Sequence, residues 1–452
     1  MKKLAKFLIP MLALVLVAAL CAIPMTAADN VIFVKDGGTG DGSAADKALK
    51  PTTGNYDPTT SNTARQKDHA LYQAIVKLME AGGGTIVVCG PIVLDVTTGQ
   101  SNNETTRDFM FDQSMYKPDV TITYTSVYGG VDYRQTADAK IVLGPTAHIV
   151  FGTASVLENI TVAAGAENRA ICTGGNNLTL GQGVTFLPYD ASLANDAKAY
   201  PAICGGERYR KITANPVITV DIGEGIVGHI YGAQYGIGSG WDMLEGSSTK
   251  IVIKSGTVIG DVAGGSRHNN TMLFGNSEIL IEGGVFKGTI NAIGNGGFGD
   301  VNSTAIVKIS GGNFADCMGV YDSAVGMNGN LPKYALLDLS GADKATADAV
   351  KAISAGFSET VEPSGDAPAA TTAAPATTAA PATTAAPATT AAPATTAAPA
   401  TTAAPATTAA PATTAAGTTA PATSVTALTV LAVMALASLA VAGVIVSKKV
   451  RG

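Results

Sequence analysis

Three stretches decide the fold of this chain: Ile251-Val252-Ile253-Lys254-Ser255-Gly256-Thr257-Val258-Ile259-Gly260, Ile279-Leu280-Ile281-Glu282-Gly283-Gly284-Val285-Phe286-Lys287-Gly288, and Val307-Lys308-Ile309-Ser310-Gly311-Gly312-Asn313-Phe314-Ala315-Asp316. Gly256, Gly284 and Gly312 recur at a constant step of 28 residues. A looser copy begins at Val220. Alignment of the four gives apolar columns Val220/Ile251/Ile279/Val307, Ile222/Ile253/Ile281/Ile309, Ile226/Val258/Phe286/Phe314 and Ile230/Val262/Ile290/Met318. The first two columns lie two residues apart, so they share one face of a strand. A residue class that returns at a fixed step predicts coils of a solenoid, with the columns stacked as ladders along one core. The glycine pairs mark bends that need positive φ. Sandwiches and propellers are also rich in glycine and strands, but neither requires the same apolar positions every 28 residues.

The tract before residue 217 reads as earlier, less regular coils. Short β-rich runs at 85–89, 92–94, 120–124, 140–143, 148–151, 156–162, 178–180 and 184–186 are punctuated by Gly, Asn, Asp or Pro. One helical pattern interrupts them. Over 63–81, Leu71, Ala74, Ile75, Leu78 and Met79 share a face, and Gly82-Gly83-Gly84 stops the helix. A second helical pattern at 340–356 predicts a C-terminal helical cap over 336–362, closing a stack edge that would otherwise invite aggregation.

The two ends speak to location. Residues 1–28 carry three lysines, an apolar run and the exit Thr26-Ala27-Ala28, the pattern of a signal peptide. Residues 363–424 are almost wholly Ala, Thr and Pro, with proline every six residues from Pro375 to Pro411. No core can form there, so a disordered, extended linker is expected, reaching up to ~175 Å as polyproline II. Residues 425–446 hold no charge and would span ~33 Å as a transmembrane helix. The basic tail 447–452 places the C-terminus in the cytoplasm and the head, 29–335 with its cap, outside the cell membrane.

Composition narrows the partners. The net charge is -6 and the head's tight basic cluster is Arg208-Tyr209-Arg210-Lys211 alone, so no nucleic-acid partner is expected. Outside the leader stand Cys89, Cys172, Cys204 and Cys317, widely spaced. An exported chain could pair them as two disulfides, but none has a close partner in sequence and buried thiols are the preferred reading. Asp36 and Asp41 have oxygens of the kind Ca²⁺ takes, yet Asp/Gly turn chemistry accounts for them equally, and no cofactor is expected.

The turn at 34–43, the helix running into Gly-Gly-Gly-Thr-Ile-Val-Val at 82–88, and the repeated Ile-x-Ile-x-Gly-Gly-x-Phe-x-Gly coil resemble pectin-lyase-like right-handed parallel β-helix proteins, in particular cell-surface members from Gram-positive anaerobes. The resemblance covers about 31–335. It implies an all-β, right-handed parallel β-helix with short helical caps. Activity does not follow, because the fold hosts lyases, hydrolases and adhesins alike. The family's hydrolases carry an Asp-Asp pair and a Gly-His-Gly turn. This chain has no Asp-Asp pair, and Gly228-His229-Ile230 lacks the second glycine. Its one Arg-x-Lys, Arg65-Gln66-Lys67, falls on the capping helix. Nor do two carboxylates converge in the repeats, as glycoside cleavage demands. No catalytic residues are assigned, and variable residues such as His229 read as tolerant bend positions.

Loops at 231–248, 264–276, 294–303 and 319–331 should leave the stack on one edge. They hold Trp241, Tyr235, Arg267, His268, Phe274, Phe298, Asp300, Tyr321 and Asp322, aromatics and polar groups suited to a glycan. The expected function is an adhesin or glycan-binding module displayed on a stalk, with a polysaccharide or host-surface ligand. A polysaccharide lyase or glycoside hydrolase is the first alternative. A structural envelope spacer is the second.

Overall fold

The computed structural model describes residues 30–51, 69–94, 108–109, 111, 113–145, 147–208, 210–236 and 241–364. The expected signal peptide, the start of the first helix, the linker, the membrane span and the basic tail lie outside these residues. Among the described residues no helix is long and apolar enough to cross a membrane.

Apart from a two-stranded antiparallel hairpin, Val127–Tyr128 with Val131–Asp132, the described strands run in three sheets whose pairings are parallel. The largest has twelve strands and is built in chain order from Val31–Val34 and Gly84–Val88 through to Tyr334–Asp338 and Glu359–Val361. A nine-stranded sheet likewise advances in order from Asp108–Phe109 to Ser354–Ala355. Four strands, Pro91–Leu94, Lys140–Leu143, Thr161–Ala164 and Thr185–Leu187, make the third. From Gly84–Val88 onward each turn of the chain thus adds one rung to each of the two large sheets, the arrangement of a β-helix-like solenoid. Where the four-stranded sheet stops, the long strands Val217–Val227 and Met243–Val258 bend to continue it, pairing Val227 with Val258 and Val258 with Phe286.

The core is a set of vertical columns. One runs Ile86, Tyr124, Leu157, Leu180, Val220, Ile253, Ile281, Ile309 through successive register pairs. Every member is at most 2% exposed. A second runs Phe109, Ile149, Ile171, Ile203, Ile230, Val262, Ile290, Val320 on the nine-stranded sheet. Each buried aliphatic side chain is worth about 1.5–3 kcal/mol over exposure, and the columns dominate what holds the coils together.

The register corrects the columns drawn from sequence. Ile218, not Val220, pairs with Ile251, and Val220 pairs with Ile253. A register shift between Val220 and Ile226 inserts Ile222 as an extra buried residue and moves Val227 onto Val258. Val320, not Met318, continues the column of Ile290, and Met318 is 71% exposed. A bulge adds residues without changing their hydrophobicity, so class matching cannot detect it.

Both glycines of a bend pair are required, for different reasons. Gly256, Gly284 and Gly312 have φ of 108°, 99° and 119°. The first glycines, Gly283 and Gly311, have ordinary φ, but a Cβ there would strike the carbonyl oxygens of Lys254 and Glu282 in the preceding coil.

At the N-terminal end the helix Ala70–Ala81 buries Leu71, Tyr72, Ala74, Ile75, Leu78 and Met79 against the first strands. His69 caps it, Nδ1 accepting the Leu71 N–H, and Gly82 at φ 84° ends it. The other end departs from a simple helical cap. The helix Lys344–Ala352 is present, but it is flanked by Tyr334–Asp338, Ser354–Ala355 and Glu359–Val361, which pair onto both large sheets. Residues 336–362 therefore extend the stack as well as covering it. All four described cysteines are buried and none is joined by a disulfide. Asp36 accepts the Val93 N–H, and Asp41 accepts the N–H and hydroxyl of Ser43. Among the described residues no cluster of three or more His, Cys, Asp or Glu could hold a metal ion.

Candidate functional site

The outer face of the nine-stranded sheet carries the candidate site. Strands Ile230–Tyr231, Val262–Ala263 and Thr289–Asn291 pair Ile230 with Val262 and Val262 with Ile290. The residue before each of these, His229, Asp261 and Thr289, therefore stacks on the outer face, one coil apart at about 4.8 Å.

These three are bonded to one another. The backbone N–H of Asp261 donates to His229 Nδ1 at 2.9 Å, so the neutral ring carries its proton on Nε2. The Asp261 carboxylate lies 3.5 Å from the same Nδ1. Its Oδ1 accepts the Thr289 N–H at 3.0 Å and the Thr289 hydroxyl at 2.7 Å. Burial pushes the Asp261 carboxyl up, but the His229 ring in its protonated, cationic form and the two bonds from Thr289 more than offset it, and its pKa falls to about 2.

Beneath this row lies an aromatic floor. The His229 ring stacks on Tyr231 at 5.7 Å and 17°. Tyr235 packs edgewise against Tyr231 at 6.2 Å and donates its hydroxyl to the Asn168 carbonyl at 2.9 Å. Burial raises both phenols, Tyr235 to about 12. Arg267 lies over the Tyr235 ring at 4.7 Å and donates to Asn168 Oδ1 at 3.2 Å. Asn295 Nδ2 donates to the Arg267 carbonyl at 3.1 Å. Burial and the neighbouring guanidinium both lower the pKa of His268.

These groups wall a cleft of about 440 Å³. Lys198 and Asn269 complete the polar lining, and Val325 and Gly326 form the apolar rim. The size lies within the range of small-ligand pockets, but the lining is far more polar than usual. Amide, imidazole, ammonium and guanidinium donors face one carboxylate.

Of the nine loop residues named for a binding surface, Arg267 and His268 line this cleft. Tyr235 supports it from below and is 2% exposed. Phe298 is fully buried between Leu273 and Asn330, which corrects its placement on an exposed surface. The coils above and below close over these aromatics, whereas loop position alone suggested display. Trp241 is half-buried ahead of the strand Met243–Val258. Asp300 is exposed and accepts the Asn302 N–H in its own turn. Tyr321 donates to the Met318 carbonyl, and Asp322 accepts the Ser323 hydroxyl. Phe274 lies over Gly299. None of these five lines the cleft.

His229, Asp261, Tyr231, Asn168 and Lys198 were missed. The signal was present in the repeat: once Val320 replaces Met318, the column reads His229, Asp261, Thr289, Gly319. Its variability reflects a chain of complementary bonds between coils, where tolerance had been inferred.

Compared with known proteins, the chain matches no family model, no curated protein and no solved structure.

Proposed function

We propose that this chain is a glycan-binding module displayed at the cell surface, with a head of the right-handed, pectin-lyase-like parallel β-helix type and the cleft at His229, Asp261 and Arg267 as its sugar site. The observation that carries the reading is the polar cleft on an aromatic floor. Hydroxyl-rich ligands are held by such fixed donors and acceptors. Right-handedness is supported by the strong preference of parallel crossovers for that hand. Display rests on the sequence alone, through the leader at 1–28, the linker at 363–424 and the apolar span at 425–446.

Binding is favoured over cleavage by paired carboxylates. Glycoside hydrolysis of that kind needs a protonated carboxyl beside an ionised one. Among the described residues Asp261 is the one carboxylate in the cleft lining, and its bonds hold it ionised.

The test is affinity electrophoresis of the full chain against a panel of neutral and acidic polysaccharides. At least one should retard the protein, and Arg267→Ala should relieve the retardation without lowering the melting temperature appreciably. Absence of retardation on every member would overturn the reading. Shortened or unsaturated products would replace it with a hydrolase or a lyase.

A further inference from the structure

We propose that Cys172 and Cys204, which are not joined in this structure, close on oxidation into a disulfide that staples two consecutive coils. The strands Ala170–Cys172 and Ala202–Cys204 share the sequence Ala-Ile-Cys and pair residue for residue, placing Cys172 directly against Cys204. Neighbouring parallel strands lie about 4.8 Å apart, inside the Cα window of about 4.4–6.8 Å that a disulfide tolerates. In-register partners point to the same face, here the outer one. Both are 0% exposed and share an apolar cluster with Tyr231 and Tyr235, directly under the cleft.

Among the described cysteines the fold offers no other pairing. Cys89 donates its thiol to the Val34 carbonyl in the first coil, within a different cluster. Cys317 donates to the Gly288 carbonyl on the main core. The remaining rungs beside the pair are Val150, Tyr231 and Ala263, which hold no sulfur.

The chemistry is thiol–disulfide exchange with glutathione disulfide or an oxidised dithiol oxidoreductase. One cysteine thiolate attacks the oxidant's disulfide, forming a mixed disulfide and releasing one thiol. The second cysteine thiolate displaces the other thiol and closes the bond. The two cysteines lose two electrons and two protons, and the oxidant gains them as thiols. Because the folded coils seal both sulfurs, exchange takes place before the outer face closes.

The experiment uses the full chain in two preparations, one recovered from an oxidising compartment and one refolded in a glutathione redox buffer. Each is denatured in N-ethylmaleimide without reductant and mapped by peptide mass spectrometry. A peptide linking Cys172 to Cys204, with Cys89 and Cys317 alkylated, is expected in either preparation. A reductant should then lower the melting temperature of the wild-type chain and leave a Cys172→Ala, Cys204→Ala double variant unchanged. Alkylation of both cysteines in both preparations, or linkage of either to another cysteine, would overturn the proposal. Failure of the glycan reading leaves it untouched.

Discussion

The backbone N–H of Asp261 reaches across one coil to Nδ1 of His229 at 2.9 Å, tying the orientation of an imidazole in the cleft to the rise of the stack. That bond leaves His229 Nε2–H as the ring's donor. His229→Ala should weaken retention on any glycan the chain binds by about tenfold or more, equivalent to about 1.4 kcal/mol. Trp241→Ala should leave it unchanged, because Trp241 lies outside the lining. Gel retardation of both variants beside wild type checks the contrast.

Asp261 also sets a pH dependence. Its folded pKa, about 2, is below the ordinary value of 3.8. The unfolded chain therefore takes up the proton first as pH falls. The stabilisation is fully present above about pH 4 and is lost as pH drops through 2. Urea unfolding between pH 5 and 2 should show this slope, and Asp261→Asn should flatten it.

Glu207 works in the opposite sense. It is fully buried, accepts the Tyr116 hydroxyl at 2.6 Å, and burial raises its pKa despite the bonds from Tyr116 and Gln113 and the nearby Arg210. The folded state holds that proton more tightly than the unfolded one, so stability falls as pH rises from the ordinary value of 4.5 through the raised one. Glu207→Ala should remove this slope from urea titrations while costing stability overall, since Tyr116 loses its acceptor.

The corrected register makes a mutational prediction of its own. Val320→Ala deletes core volume and should cost about 1–3 kcal/mol, and Ile281→Ala about 2–5 kcal/mol. Met318→Ala should fall within about 0.5 kcal/mol of wild type. Equal costs at 318 and 320 in chemical denaturation would refute the register.

The two glycines of one bend should fail differently. Gly284→Ala forces an L-residue to φ 99° and should cost about 1–2 kcal/mol. Gly283→Ala must push the Lys254 carbonyl away and should cost about 1–3 kcal/mol. A double variant tests additivity, which neighbouring residues are not expected to obey.

The solenoid was legible because the coils at 251–316 are equally long and punctuated alike, so ladders such as Ile253, Ile281, Ile309 appear in the bare sequence. Legibility ended where coil length varies. The shift at 220–226 and the two added residues before Val320 displaced whole columns. The cleft was obscured by the same slip, because His229 and Asp261 bond only when their register is known. Tyr235 and Phe298 misled for another reason. A loop aromatic reads alike whether it faces solvent or lies under a neighbouring turn of chain.

Asn168, Lys198, His229, Asp261, Asn295 and Val325 reach the cleft from positions far apart in sequence, each delivered by a different turn. Such a site behaves like a keyboard with one key per turn. Exchanging a single residue retunes one contact and leaves the ladders beneath it intact, so the lining of the cleft can diverge while the architecture stays fixed.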